Sequence, residues 1–186
     1  MAKEKNKPVT YIPITWQQFA KDAVCLAKKI QNEYGRVDEI VAISRGGIVL
    51  GRILSDILEA NISFITMLSY EGLKQTKRVQ ITRETPRKFN NEKILLVDEL
   101  ADSGKTFITA VNYLKKLPVK TIITASLYIK PKTKYVPHVY IKRLDGWIIL
   151  PYELKETKAA FIEQFGLEGA KKKLKQLGVL DWSSIS

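Results

Sequence analysis

The chain has 186 residues, 45% of them from the set AVILMFWYC, and 31 Lys plus Arg against 19 Asp plus Glu give it a formal net charge of +12. That composition is globular and of one-domain size. No apolar run approaches the roughly 18 residues of a membrane span. The opening MAKEKNKP has no apolar signal-peptide core, so a reducing cytoplasm is the expected compartment. A single cysteine, Cys25, and a single histidine, His138, exclude an intrachain disulfide, a thiolate zinc site and a His-rich metal centre, and they argue against a Ser-His-Asp hydrolase. The basic surplus asks for an anionic partner or a solvated surface. The longest basic run is only Lys171-Lys172-Lys173, so most of the excess reads as a solubilising surface rather than a nucleic-acid groove; charge alone leaves nucleic acid and a small phosphorylated substrate both open, and no membrane partner is expected.

The first element in chain order is a helix from Thr15 to Tyr34. Gln18 stands where a capping box needs it, and Trp16, Phe19, Ala23, Leu26, Ala27, Ile30 and Tyr34 make one apolar face before Gly35. Cys25 lies off that stripe and reads as a small packed residue. Glu39–Ser44 (EIVAIS) is a strand, Arg45-Gly46-Gly47 interrupts it, and Ile48–Leu58 is a helix. Ile62–Leu68 is a second strand. Residues 69–92 are polar and basic, with Val79–Thr82 able to form half of a hairpin, and so long a stretch reads as a lid or as disorder. Lys93–Asp98 (KILLVD) is the clearest buried strand. A loop over Glu99–Ser103 and a helix over Gly104–Leu117 follow. Thr121–Ile129, Val139–Ile141 and Trp147–Leu150 read as strands, and the tail from about Glu156 as one or two helices. Alternating strands and helices predict an α/β fold with an open, mainly parallel sheet and helices on both faces. Ligands in such sheets sit at the carboxyl ends of strands.

The segment Val97-Asp98-Glu99-Leu100-Ala101-Asp102-Ser103-Gly104-Lys105-Thr106 lies between a buried strand and a helix. Its second half offers hydroxyls, a glycine and backbone N–H groups at a helix N-terminus, which is a phosphate cradle. Its first half offers two adjacent carboxylates, suited to a sugar diol or a divalent metal. Gly104-Lys105-Thr106 ends like a P-loop, but Glu99 occupies the position where that motif needs glycine.

The whole segment resembles the phosphoribosyl-pyrophosphate (PRPP) signature of type I phosphoribosyltransferases, with Glu99 for the commoner second aspartate and Ser103 for the commoner threonine. Ser44-Arg45-Gly46-Gly47 resembles that family's pyrophosphate loop, and Ser69-Tyr70 the start of its mobile lid. Tyr128-Ile129-Lys130-Pro131 and Asp145-Gly146-Trp147-Ile148-Ile149-Leu150-Pro151-Tyr152-Glu153 resemble the base-binding segments of the bacterial and archaeal 6-oxopurine branch. Standing alone, Lys130 would be read as a strand-end surface residue and Trp147 as a core aromatic.

The resemblance implies one domain over 1–186, a lid over 69–92 and a small hood from terminal segments, including 142–186. It implies PRPP contacts from Ser44, Arg45, Gly46 and Gly47. Asp98 and Glu99 would hold the ribose hydroxyls and, through PRPP and water, Mg²⁺. The PRPP contacts would continue through Leu100 to Ala101, Asp102, Ser103, Gly104, Lys105 and Thr106 around the 5′-phosphate. Asp102 would be the general base, and Lys130, Trp147 and Ile148 would bind a purine. The Ser44–Arg45 peptide is expected to be cis or otherwise strained. A homodimer or homotetramer is implied by the same resemblance. A PRPP-binding regulator, or an enzyme for adenine or a pyrimidine base, is the alternative.

Overall fold

The computed structural model describes residues 9–71 and 77–179. In chain order the elements are β1 (Tyr11–Pro13), α1 (Trp16–Tyr34), β2 (Glu39–Ser44), α2 (Gly47–Leu58), β3 (Asn61–Glu71), β4 (Lys77–Arg83), β5 (Glu92–Ala101), α3 (Lys105–Leu114), β6 (Val119–Ile129), β7 (Val139–Arg143), β8 (Trp147–Ile149) and α4 (Leu154–Gln176). They fall into two compact units, Lys21–Leu144 and Met1–Ala20 with Asp145–Ser186.

The larger unit is a six-stranded sheet in the order β4-β3-β2-β5-β6-β7. Every pairing is parallel except β3 with β4. The parallel interior explains the continuous apolar runs. Ile94, Leu95, Leu96 and Val97 of β5 are all fully buried, because both faces of the sheet are covered. On one face Phe107, Ala110, Val111 and Leu114 of α3 pack with Val41, Ile43, Ile65, Ile94 and Leu96. On the other, Gly51 of α2 lies against Ala42, Ile62 and Val97, where a Cβ would come within 2.8 Å of that of Ala42. The apolar stripe of α1 is buried at Ala23, Leu26, Ala27 and Ile30.

A cluster of polar side chains interrupts the apolar pattern of the core. The fully buried Tyr128 donates its hydroxyl to Asp22 Oδ2 at 2.8 Å. Lys142 Nζ donates to both oxygens of Asp22, at 3.0 and 2.9 Å. This ties α1 to β6 and β7. The surrounding apolar atoms and the Asp22 charge push the Tyr128 phenol far up.

The second unit pairs β1 with β8 in parallel, Tyr11 to Trp147 and Ile12 to Ile148. α4 is two helical pieces joined at Gly166, whose φ of 69° is left-handed. Its core is Ile149, Phe161, Ala170 and Leu174, with Tyr11 edge-on to Phe161 at 5.0 Å.

Four sequence expectations change. β5 runs on through Ala101, so Glu99, Leu100 and Ala101 are strand rather than loop, held by Leu100–Tyr128 and Ala101–Ile129 pairing. Ser69 and Tyr70 belong to β3, which forms an antiparallel ladder with β4 rather than opening a weakly structured stretch. Residues 72–76 of the expected lid lie outside the described residues. Cys25 is exposed, not packed, and Trp16 is 57% exposed, off the buried stripe. The β1 strand has no counterpart in the sequence expectations.

Removing Asp22 strands the Tyr128 hydroxyl in the core. Lys142 reaches solvent, so the ion pair itself adds little. Asp22→Ala is expected to cost about 1–3 kcal/mol, lowering Tm by about 3–10 °C. Tyr128→Phe is expected to cost less, since the carboxylate keeps Lys142. Thermal unfolding of the two variants beside wild type checks the order, which equal losses would contradict.

Candidate active site

Strand order reverses between β2 and β5. From β2 the chain moves outward to β3 and β4, and from β5 it moves the other way through β6 to β7. The crevice outside such a switch point is where an open α/β sheet binds ligands. The connections that leave it are β2–α2, running Ser44-Arg45-Gly46-Gly47, and β5–α3, running from Asp98–Ala101 at the end of the strand through Asp102, Ser103 and Gly104 to Lys105.

These two loops touch, and their glycines permit it. A Cβ on Gly47 would meet the Val97 carbonyl at 2.7 Å, and one on Gly46 would overlap the Glu99 carboxylate. The Ser44–Arg45 peptide is cis, as expected. Arg45 is exposed at the start of the loop, and its carbonyl accepts from Ile48 N at 3.2 Å.

Asp98 and Glu99 are buried side by side. Asp98 Oδ1 accepts from Glu99 N at 3.1 Å. Burial, followed by the neighbouring Glu99 charge, pushes the Asp98 carboxyl well above the usual carboxylate range, against smaller help from the backbone N–H groups of Glu99 and Gly47. Burial also pushes Glu99 up, against its hydrogen bond with Asp98. Glu99 Oε2 is buried without a hydrogen-bond partner in the structure. Among the described residues no cluster of three or more His, Cys, Asp or Glu makes a dedicated metal cage. An orphaned oxygen on a paired acid does suit hydroxyl donors, or a divalent ion held mainly by an anionic ligand and water.

Beyond the acids, the chain run Leu100–Phe107, with Val79 of β4 and Lys132, lines a cavity of ≈ 580 Å³. Gly104 adopts φ 80°, a left-handed turn that opens α3. Ser103 Oγ accepts from Lys105 N at 3.4 Å. The cavity therefore sits at a helix N-terminus with hydroxyls and N–H donors around it, an anion cradle. Asp102 lies on its wall, 3.2 Å from Lys132 Nζ. Lys130 is buried at the end of β6, and its N–H donates to Ala101 O at 3.0 Å. The structure thus brings Ser44–Gly47, Asp98–Thr106 and Lys130 to one edge of the sheet.

Trp147 and Ile148 lie on β8 in the other unit. The Trp147 ring packs 5.9 Å from Tyr11 and 6.0 Å from Phe161 and remains 37% exposed. The side chains of Ser69 and Tyr70 lie outside the described residues. Lys132 and Val79 were not expected from the sequence. The repeating Lys130, Lys132, Lys134 after a strand was a signal for the first of these. Nothing local marked Val79, which reaches the cavity through the β3–β4 ladder.

The model of the phosphoribosyl transferase domain matches residues 15–157. The chain belongs to this family. It is similar to a curated xanthine-guanine phosphoribosyltransferase of Gluconobacter oxydans (strain 621H), with 30% identity over 156 residues that cover 82% of this chain and 90% of the relative. Among solved structures it resembles a purine phosphoribosyltransferase from Pyrococcus horikoshii Ot3, at TM-score 0.70 and 30% identity, covering 76% of this chain and 93% of that one. It also resembles a Helicobacter pylori xanthine-guanine-hypoxanthine phosphoribosyltransferase at TM-score 0.71 and 26% identity, covering 81% of this chain and 99% of that one. The fold is thus that of the type I phosphoribosyltransferases, and the protein is an enzyme of that class.

The raised acids carry a stability consequence. The unfolded chain releases these protons near pH 4, while the folded pair holds them to higher pH. Their contribution to stability is therefore fully present below the unfolded pKa and is lost as pH rises through the folded values. Glu99→Gln relieves this. The ligand-free variant should melt about 2–6 °C above wild type at neutral pH, with the gap closing toward pH 4. Melting curves across that range test it, and a gap independent of pH would contradict the burial of charge as its cause.

Proposed function

We propose that this phosphoribosyltransferase transfers the phosphoribosyl group of PRPP to a 6-oxopurine, releasing pyrophosphate and forming the nucleoside 5′-monophosphate. The observation that carries the reading is the meeting, at the sheet's switch point, of a buried acid pair, an anion cradle and a second glycine-lined loop. The named relatives supply the substrate class.

The C1′–O bond to pyrophosphate breaks and a bond from C1′ to a purine nitrogen forms, through an oxocarbenium-like transition state. The cradle of Ala101, Asp102, Ser103, Gly104, Lys105 and Thr106 holds the 5′-phosphate, with Leu100 beside it. Asp98 and Glu99 accept from the ribose hydroxyls, which satisfies the orphaned Glu99 oxygen. Ser44, Arg45, Gly46 and Gly47 receive the pyrophosphate, whose departure needs neutralising rather than protonating. Asp98 and Glu99 would hold Mg²⁺ through PRPP and water, and the ion would supply part of that neutralisation when bound. Asp102 takes the proton that the purine loses from N7. Lys130 donates to the 6-oxo group, Trp147 stacks on the base and Ile148 lines its edge through backbone groups. The 69–92 segment, opening at Ser69 and Tyr70, excludes water over the site, and residues 142–186 form the hood. The lone cysteine suits a reducing cytoplasm. Exposed Ile48, Phe64 and Leu68 suit a homodimer or homotetramer.

The deciding experiment is product formation from hypoxanthine, guanine, xanthine and adenine, each with PRPP and Mg²⁺. Product from the three oxopurines supports the reading. PRPP binding without product from any base would make the protein a PRPP-binding regulator instead.

Asp102→Asn keeps size and polarity but cannot take a proton. It is expected to slow kcat by about 10²–10⁴ while PRPP affinity stays near wild type. An unchanged kcat would reduce Asp102 to a loop-shaping residue.

An ammonium has only donors, so Lys130 suits the 6-oxo acceptor and opposes the 6-amino group of adenine. Wild type should prefer hypoxanthine to adenine in kcat/KM by about tenfold to several hundredfold. Lys130→Met should lose hypoxanthine activity and narrow that ratio. Equal use of both bases by wild type would remove Lys130 from the base site and leave the PRPP site standing.

A further inference from the structure

A carboxylate sits where an anion is to be held. Asp102 lies on the wall of the ≈ 580 Å³ cavity, among the donors that make it a phosphate cradle. An ionised Asp102 repels a phosphate, and an ionised Asp102 is what a proton acceptor must be. The cradle needs a fixed positive charge against that one side chain.

The turn after β6 supplies it. Lys132 Nζ stands 3.2 Å from Asp102 Oδ1, and both side chains line the cavity. The placement is held by backbone on both sides of the pair. Lys130 N–H donates to Ala101 O at 3.0 Å, and Lys134 N–H donates to Ser103 O at 3.1 Å. These two bonds bracket Asp102 on one strand of chain and Lys132 on the other. Thr133 N–H donates to Lys130 O at 3.1 Å, which closes the turn. Tyr135 then stacks on Phe107 of α3 at 5.5 Å with the rings 5° apart, and Gly104 has no room for a Cβ beneath Tyr135 and Thr133. The turn and the phosphate loop are one braced unit with the two charges facing each other.

We propose that Lys132 is the counter-charge that lets the phosphate loop carry an ionised Asp102 beside a bound phosphate. This rests on reading the cavity as the 5′-phosphate cradle. The side chains of Lys132 and Asp102 are 71% and 52% exposed, so in the empty site water screens the pair and it is weak. Once a bound ligand displaces that water, the same charges interact more strongly. Lys132 then acts through Asp102. It cancels the repulsion between carboxylate and phosphate and leaves the carboxylate ionised for the purine proton. Lys132 is thus a positioning residue, and the size of its effect depends on the residue at 102.

A double-mutant cycle read by NMR titration of ribose 5-phosphate tests this without any chemistry. With Asp102 present, Lys132→Ala should weaken ribose 5-phosphate binding by about three- to tenfold. Lys132→Arg should hold it within about twofold. In the Asp102→Asn background, Lys132→Ala should change binding by less than about 1.5-fold, because without its carboxylate partner the exposed Lys132 is no longer held at the cavity wall. In turnover, Lys132→Ala should raise KM for PRPP by more than it lowers kcat. Wild-type melting temperature in each variant excludes unfolding as the cause. Equal losses in the two backgrounds would make Lys132 a plain phosphate ligand and overturn the proposal. No loss in either would make the pair an idle surface contact and overturn it too. Both results leave the cradle intact, because wild type still binds ribose 5-phosphate. Failure of wild type to bind it would remove the cradle reading and this proposal together.

Discussion

The parallel pairing of β2 with β5, Ala42 beside Val97, is the constraint from which the rest of the site follows. These strands are distant in sequence, and β3 and β4 intervene. Their pairing sends two loops out of the sheet at the same end and side by side. The loops can approach only because positions 46, 47 and 51 lack side chains. A Cβ at Gly51 would press α2 away from Ala42, and one at Gly47 would collide with the Val97 carbonyl. The glycines therefore act as packing residues as much as turn residues. They set how close α2 and its preceding loop come to the acids of β5.

The charges at this edge are opposed by design of the backbone. Asp98 and Glu99 are held in strand, buried and adjacent, in a state that disfavours their ionisation. A few residues on, the chain turns at Gly104 and presents donors to a cavity. A ligand with hydroxyls at one end and a phosphate at the other matches that order, and PRPP is such a ligand. The unfavourable burial of the acids is a cost the empty protein bears for a site shaped before substrate arrives.

Much of this was legible from residue order because the decisive elements are locally coded. β2 and β5 are short apolar runs bounded by polar residues, and α1 and α3 carry regular apolar stripes. The errors fall where tertiary pairing overrides local character. Glu99-Leu100-Ala101, leading into Asp102-Ser103, reads as a loop, yet β6 pairs along it as far as Ala101 and keeps it extended. Ser69–Glu71 likewise reads as polar connection, and β4 draws it into a ladder. β1 is three residues ending in proline, and its partner β8 lies near the other end of the chain, so no local pattern could reveal it. Asp22 drew no expectation from the sequence, where it stands between the apolar positions Phe19 and Ala23 of the helix. Only the fold places Tyr128 and Lys142 around it. Lys132 failed for a similar reason, since its meaning depends on a carboxylate thirty residues earlier being set opposite it.

The bracing of the phosphate loop bears on how much of the site can move. The β6–β7 turn is tied to the loop by two backbone bonds and by the Phe107–Tyr135 stack, and Phe107 is itself part of the α3 core. Displacing Asp102 would therefore disturb the helix packing beneath it. On the β4 side the cavity wall is Val79, on the antiparallel ladder at the sheet's edge. An edge strand has one neighbour and opens at lower cost than strands paired on both sides. Asp98 and Glu99 stand on β5, and the cradle and Lys130 follow directly from the ends of β5 and β6, strands that are paired on both sides. The Val79 wall stands on the edge. The sheet order thus separates the rigid half of the cleft from the half able to yield.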